Sequence, residues 1–149
     1  MATRSFIAIK EKDTFKAVYH HSESYHEYLG RLLLEHYSDV DKVREAISFG
    51  DASIWKENIH PPKDKLHDFD DRHPDVSVFY NRDRGDTECD CTNHATQKAL
   101  ILDAYNSWAE YLYIFNVTTN KWSVVDLRLK NETATAVLKS IKELGDDYE

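Results

Sequence analysis

Apolar and polar residues alternate with a period of two near the start of the chain. Residues 4–10 alternate first, with Ile7 and Ile9 on one side, and residues 15–19 alternate again after a polar run at 11–14. A period of two is the spacing of side chains on one face of a strand. The pattern therefore predicts a β-hairpin with its turn at 11–14.

After Ser24 the period changes from that of a strand to that of a helix. Apolar residues then recur three and four positions apart, as on the buried side of an amphipathic helix. The residues of this stripe are Tyr25, Tyr28, Leu29, Leu32, Leu33 and His36. Ser24 and Glu27 have the S-x-x-E spacing of a capping box, in which both side chains accept hydrogen bonds from backbone amides of the first turn. We expect the helix to begin there.

A second helix is predicted from Ser38 or Asp39. Its apolar positions are Val40, Val43 and Ile47. Gly50 follows at the place where a left-handed residue commonly ends a helix. Residues 52–65 show no regular period and contain two consecutive prolines, so they are predicted to form a loop. The apolar residues of this loop that we expect in the core are Ile54, Trp55 and Ile59.

The second half of the chain carries four further patterns. Alternation predicts a strand at 76–80, and Ala99, Leu102 and Tyr105 suit a helix within 95–108. Two alternating runs at 111–117 and 121–127 predict a second hairpin, in which Tyr111, Tyr113, Phe115 and Val117 share one face. The last pattern predicts a C-terminal helix on Ala134, Val137, Leu138 and Ile141.

Hairpins separated by helices are typical of the α+β class. We therefore predict a single α+β domain over residues 1–149. It would have an antiparallel sheet of about five strands, with three to four helices packed mainly on one face.

Composition and charge restrict the classes of partner. The 149 residues are 41% hydrophobic and 31% charged, which suits one folded domain, and the formal net charge is −8. This charge repels nucleic acid and anionic membranes, so we expect neither as a direct partner. A protein with a basic surface is the electrostatic complement.

The cellular compartment is predicted from two patterns that the sequence lacks. The chain contains no apolar run of 18 residues and no secretory signal pattern, so we expect a cytoplasmic protein without a membrane span. Its two cysteines are one residue apart, a poor spacing for a structural disulfide.

Residues 63–90 form an acidic, loop-rich region. It holds nine acidic and five basic residues, a net charge of −4, which is half the net charge of the chain. A short acidic tail at 146–149 ends the sequence. An acidic run is most often a solvated surface. It can also imitate the phosphates of a nucleic acid and occupy the basic cleft of a nuclease. The residues predicted to form such a protein-binding surface are Asp68, Asp70, Asp71 and Asp75.

A second group of polar residues suggests a small-ligand site. Arg82 and Arg84 lie beside a Gly turn and can grip phosphate, unless Asp83 and Asp86 pair with them and only lock the turn. Histidines cluster at 20, 21 and 26, but adjacent strand positions face opposite sides, so at most one of the first two joins a given site. The alternative ligand-binding set is His21, Tyr25, Arg82, Arg84 and Asp86.

Cys89, Cys91 and His94 are a weak candidate for a metal site. They offer three soft ligands within six residues. The C-x-C spacing differs from the usual C-x-x-C, and no second pair of cysteines is present, so two free thiols are the alternative. We find no cofactor motif, and no sequence motif of a serine nucleophile or a phosphate-binding loop.

Several of these motifs together resemble a family of small, largely uncharacterised proteins found in phage and prophage genomes. The motifs are Thr3-Arg4-Ser5, the run 18–21 leading to Tyr25, Glu27-Tyr28-x-Gly30, the run 33–37, Phe69-Asp70-x-Arg72 and Tyr80-x-Arg82-Asp83-Arg84-Gly85-Asp86. The resemblance covers about the first 90 residues. It implies a phage or mobile-element accessory protein and does not imply a reaction.

The leading functional hypothesis is a binding protein that blocks a host protein, for example a defence nuclease, through its acidic surface. The first alternative is a small-ligand module that sequesters or cleaves a nucleotide signal. The second is a dimerisation or scaffold domain that binds no ligand, and homodimer formation stays open. Whether the protein is an enzyme is not decided by the sequence, although the absence of a catalytic motif favours binding.

Overall fold

The hydrophobic strands near the start of the chain form the centre of a large mixed sheet. The computed structural model describes residues 2–128 and 135–138. Seven strands lie in the order β4-β3-β2-β1-β6-β7-β8, and β5 pairs additionally with β2. The strands are β1 (Ser5–Glu11), β2 (Thr14–His20), β3 (Ala52–Ile54), β4 (Val78–Phe79), β5 (Thr92–His94), β6 (Tyr111–Asn116), β7 (Lys121–Asp126) and β8 (Thr135–Val137).

Both predicted hairpins are present, and a parallel pairing joins them. β1 pairs antiparallel with β2, and β6 pairs antiparallel with β7, as predicted. β1 also pairs in parallel with β6 from Ser5 and Tyr111 onward, and β2 pairs in parallel with β3 at His20 and Ala52. The prediction of an antiparallel sheet of about five strands is therefore wrong in strand number and direction, although the α+β class is confirmed.

Helices cover both faces of the sheet. Helix α1 is a π-helical turn, His26–Gly30, continued by the α-helix Arg31–His36, and α2 spans Val40–Ser48. These two helices pack on the face that carries Ile7 and Ile9. The short helix α3 is Tyr80–Arg84, and α4 is Gln97–Asn106. Helix α4 packs on the opposite face, so the prediction of helices mainly on one face holds for α1 and α2 but not for α4.

The central strands explain why both faces are covered. The first five residues of β1 and the first five of β6 are all buried. A strand that is buried on both sides is a nearly continuous apolar run and has no polar face. Ile7, Ile9, Tyr113 and Phe115 enter one core, whereas Phe6, Ala8 and Ile114 enter the other.

Helix α4 presents an apolar stripe to solvent. Its buried residues are Leu100 and Ala104, while Leu102 is 51% exposed and Tyr105 is 50% exposed. Trp108, just beyond the helix, is 78% exposed. The helix predicted within 95–108 is confirmed, but the residues that suggested it lie on its outer side.

Two local predictions are corrected. Residues 52–54 were expected in a loop but form β3. The strand predicted at 76–80 is limited to Val78–Phe79, and the turn expected after it is helix α3. Residues 92–94, for which the sequence predicted no strand, form β5 on the edge of β2. Strands of two or three residues depend on their partners more than on their own pattern, which is why their sequences do not predict them. The expected core positions Ile54, Trp55 and Ile59 are all buried.

The predicted C-terminal helix is wrong where the structure describes it. Residues 135–137 form β8, which pairs antiparallel with β7. Thr133, Thr135 and Val137 alternate with two alanines, and β-branched residues at alternate positions favour a strand. Ala134 and Ile141, the other ends of that pattern, and the acidic tail lie outside the described residues.

Within the described part of the chain, no helix has the length and apolar character needed to cross a membrane.

Gly50 is required by a close backbone contact at the end of α2. Its φ is +83°, as the sequence predicted for a helix-ending glycine, and a Cβ placed there would lie 2.2 Å from the carbonyl oxygen of Cys89. The same oxygen accepts a hydrogen bond from the amide of Asp51 (2.7 Å). The contact therefore joins the end of α2 to the segment before β5.

We predict that Gly50→Ala destabilises the protein more than Gly85→Ala does. Gly85 also has a positive φ (+81°), but nothing lies within 4 Å of its Cβ position. Gly85→Ala should lower the free energy of unfolding by roughly 1–2 kcal/mol, the cost of a left-handed L-residue. Gly50→Ala adds a backbone clash, with a further cost of about 1–3 kcal/mol. Urea unfolding of both variants measures the difference; equal losses would contradict the close contact.

Candidate functional site

The polar corner between β2 and α1 is a buried hydrogen-bond network. The hydroxyl of Ser24 accepts a hydrogen bond from the Ser5 hydroxyl (2.8 Å) and lies 2.7 Å from His20 Nδ1. All three residues are completely buried. Tyr25 occupies the N-cap position of α1, and no side chain makes a capping hydrogen bond to this end of the helix. The predicted capping box is therefore wrong, because the Ser24 hydroxyl is used inside the protein instead.

The ring of His20 joins this network to the loop after β3. Its Nε2 accepts a hydrogen bond from the Trp55 amide (2.9 Å), so the proton lies on Nδ1 and is donated to Ser24. Burial, with a smaller effect of His21, lowers the pKa of His20 to about 3. A catalytic base would accept a proton from the serine. Here the serine accepts one from the histidine, so the pair fixes the corner and does not activate a nucleophile.

His21 and Tyr25, predicted to act together, have different partners. The Nδ1 atom of His21 lies 2.7 Å from the Tyr19 hydroxyl, on the side of the sheet opposite to His20. Burial and the nearby charge of Arg4 lower the pKa of His21. The Tyr25 hydroxyl instead donates to Glu23, and this hydrogen bond raises the pKa of Tyr25. The opposite orientation of His20 and His21 agrees with the sequence prediction.

Arg82 is an internal anchor. Its guanidinium donates to the carbonyl of Ile59 (2.6 Å), to the carbonyl of Ser77 (2.9 Å) and to the carboxylate of Asp83 (2.9 Å). It also lies over the rings of Phe49 and Phe79. These contacts use the guanidinium fork, so Arg82 serves the structure and does not face a ligand.

The carboxylate of Asp83 and the ring of His67 complete this anchor. Asp83 accepts a hydrogen bond from the Phe79 amide (2.8 Å), and its side chain is only 3% exposed. His67 Nε2 lies 3.0 Å from the carbonyl of Ser77, and Nδ1 accepts from the amide of His73 (2.9 Å). The acidic loop is thus tied to α3 at both ends.

Arg84 and Asp86 form an ion pair at the surface. Their closest atoms are 2.7 Å apart, and the pairing raises the pKa of Arg84 and lowers that of Asp86. The guanidinium of Arg84 lies 4.3 Å from the centre of the Phe69 ring, and that of Arg72 lies 4.5 Å from the same centre. Phe69 is therefore stacked against two arginines, which hold the acidic loop against α3.

The four predicted surface carboxylates are all exposed. Asp70, Asp71 and Asp75 face solvent. Asp68 is exposed as well, and its carboxylate accepts hydrogen bonds from the amides of Asp70 (2.9 Å) and Asp71 (2.7 Å). Asp68 therefore shapes the turn that presents its neighbours.

The members of the weak metal candidate do not converge. Cys89 is buried, with its sulfur 3.6 Å from the carbonyl of Asp86, and burial raises the pKa of its thiol. Cys91 packs toward the α2 core, whereas His94 Nε2 pairs with Asp103 of α4 (2.9 Å). Among residues 2–128 and 135–138, no three His, Cys, Asp or Glu side chains are grouped to hold a metal ion.

The prediction missed several polar residues on the α4 side of the sheet. Asp51 accepts a hydrogen bond from the Tyr19 amide (2.8 Å), and burial, followed by the charges of Asp90 and Asp103, raises its pKa. Asp51 borders a cleft of about 290 Å³. The lining of the cleft also includes Tyr19, Thr92 and Asp103. Arg4 lies near Tyr19 of this lining and near His21, since its charge acts on both side chains. The hairpin register could have indicated this, because Arg4 and His21 are the next residues beyond the pair of Ser5 with His20.

We predict that His20 makes stability depend on pH between about 6.5 and 3. Its folded-state pKa (about 3) is below the unfolded value of 6.5, so the unfolded chain binds more protons and stability falls as pH falls below 6.5. At pH 4–6 wild type should lose about 1.4 kcal/mol per pH unit more than His20→Gln does. Urea unfolding across this pH range measures the slopes.

The control for this prediction is His60→Gln. The His60 side chain is 57% exposed, and its ion pair with Glu45 is screened by solvent, so its removal should change the slope much less than removal of His20 does. Equal slopes for wild type and His20→Gln would show that the buried network does not require a neutral imidazole.

Comparison of the chain with protein-family models, with curated proteins and with solved structures finds no match. The resemblance to phage proteins therefore stays a prediction that rests on the motifs quoted above.

Proposed function

We propose that the protein is a binding protein that engages a basic partner protein through an acidic loop surface, defined as Asp68, Asp70, Asp71 and Asp75. The observation that carries the proposal is that all four carboxylates are exposed on a loop whose backbone is fixed from within. A fixed array of charges binds without the loss of entropy that ordering a flexible loop would require.

Two features support pre-organisation of this surface. Asp68 holds the turn by accepting two amide hydrogen bonds. Arg82 and His67 attach the flanking segments to buried carbonyl and carboxylate groups. The carboxylates therefore keep their spacing before a partner arrives.

Charge supports association with a basic protein. The chain carries a formal net charge of −8, and half of it lies in residues 63–90. Complementary charge accelerates encounter and selects partners more than it adds affinity. In the setting that the sequence resemblance implies, the partner is a host protein, such as a defence nuclease whose basic cleft normally accepts nucleic acid.

Binding is favoured over catalysis by the orientation of the groups with catalytic chemistry. His20 and Ser24 are enclosed, and the hydrogen bond between them runs from histidine to serine. The alternative, a module that binds a nucleotide signal through the residues predicted from the sequence, has less support. It needs Arg82, which contacts internal carbonyls, and Tyr25, whose hydroxyl bonds to Glu23.

We predict that reversing the acidic loop surface weakens partner binding by at least about 30-fold, from about 0.5 kcal/mol lost for each of four carboxylates. The variant carries Asp70→Lys, Asp71→Lys and Asp75→Lys together with Asp68→Asn, which retains an oxygen acceptor for the turn. Affinity capture from host lysate identifies the partner by mass spectrometry, and titration of the purified partner then measures the loss.

The matched control reverses exposed acidic residues elsewhere: Asp13→Lys, Glu27→Lys and Asp41→Lys with Glu35→Gln. It changes the net charge by the same amount and should retain binding apart from a small long-range effect. If the two variants lose affinity equally, overall charge and not the loop is responsible. If neither loses affinity, the proposal is overturned.

A further inference from the structure

Arg4 is a cation without a carboxylate partner among the residues that the structure describes. No Asp or Glu in the described part of the chain lies within ion-pair distance of its guanidinium, and its buried Nε has no hydrogen-bond partner there. The backbone of Arg4 is fixed, since its carbonyl accepts a hydrogen bond from the Glu110 amide (2.8 Å). A buried donor without an acceptor is costly unless something supplies the acceptor.

His21 adds a donor beside Arg4, and Tyr19 orients it. The paired register of β1 and β2 ends at Ser5 with His20, and Arg4 and His21 are the next residues beyond that pair. The charge of Arg4 acts on both His21 and Tyr19. The Tyr19 hydroxyl lies 2.7 Å from His21 Nδ1. When Tyr19 donates to Nδ1, the ring proton is on Nε2, which can then donate to a ligand. Arg4 and His21 therefore form a donor patch, in which the Tyr19 hydroxyl orients the His21 ring.

The cleft beside Tyr19 has the opposite chemistry. Asp51 and Asp103 line it together with Thr92, and its volume is about 290 Å³. Carboxylates accept hydrogen bonds from hydroxyl groups, and the size is near the lower end for small-molecule sites, about 300–1,000 Å³. Tyr19 contacts His21 of the donor patch and also lines the cleft, so one small ligand can reach both.

We propose that Arg4 and His21 bind the phosphate of a small phosphorylated polyol, whose hydroxyl groups enter the cleft toward Asp51 and Asp103. A guanidinium and an imidazole N–H match the several acceptor oxygens of a phosphate monoester. The carboxylates of the cleft then accept from sugar hydroxyls. A sugar phosphate and a nucleoside monophosphate share this chemistry.

The charge of the protein restricts the ligand to a small one. A net charge of −8 repels a polyanion over long distances, whereas a single phosphate is repelled less and gains the local contacts. This site is separate from the acidic loop surface and goes beyond the binding role proposed above. Loss of one site should leave the other intact.

The test follows the Nε–H signal of Arg4 by NMR during titration with inorganic phosphate, ribose 5-phosphate, AMP and ribose. We expect a saturable shift of this signal with ribose 5-phosphate, tighter than with phosphate alone, and no shift with ribose. A comparison of ribose 5-phosphate with AMP separates a sugar phosphate ligand from a nucleotide. The wild-type protein suffices for this experiment, so it does not depend on a variant that folds.

Variants provide the second readout. Arg4→Gln should weaken ribose 5-phosphate binding by at least about tenfold, because a charge-assisted contact is lost. Arg44→Gln removes an equal charge from an exposed arginine that pairs with Glu11, and it should bind as wild type does. The proposal is overturned if the Arg4 signal does not shift, if all exposed arginines shift without saturation, or if Arg4→Gln binds normally.

Discussion

The side of the molecule that carries the acidic loop depends on one guanidinium, that of Arg82. Residues 55–77 contain little regular structure, so their backbone groups need partners from elsewhere. Arg82 donates to carbonyls near both ends of this segment, at Ile59 and Ser77, while it stacks on the rings of Phe49 and Phe79. Asp83 adds the link to Phe69 through its carbonyl (2.9 Å). Lysine could supply the charge of Arg82 but not the planar fork that makes several bonds at once.

Local patterns in the sequence predict the elements that are stabilised locally. The hairpin of β1 and β2, helix α2 with Asp39 before it, and the hairpin of β6 and β7 all follow from periodicity and turn chemistry. The parallel pairing of β1 with β6 joins residues about a hundred positions apart, and no local signal encodes it. The sequence also does not show which side of α4 is buried. Leu102 and Tyr105 have helical spacing, but in the folded protein Leu100 and Ala104 enter the core.

The site was predicted in part. The exposure of Asp70, Asp71 and Asp75 follows from a charged, proline-bounded loop, and the structure agrees. The roles of the two arginines could not be separated, because Arg82 and Arg84 both adjoin Asp83 in the sequence and are distinguished by the direction in which they point from α3. Ser24 shows the same limit. Its spacing to Glu27 suits a cap, but its hydroxyl finds stronger partners in Ser5 and His20, which the sheet brings to it.

We propose that the Arg82 anchor holds the acidic loop surface rigid before any partner binds. Native-state hydrogen exchange of Arg82→Lys tests it most directly, since the charge is kept and only the fork is lost. We predict faster exchange of the amides of Asn58, Phe69 and Ser77, with unchanged exchange in β1 and β6. Wild-type protection of those loop amides in Arg82→Lys would contradict the account.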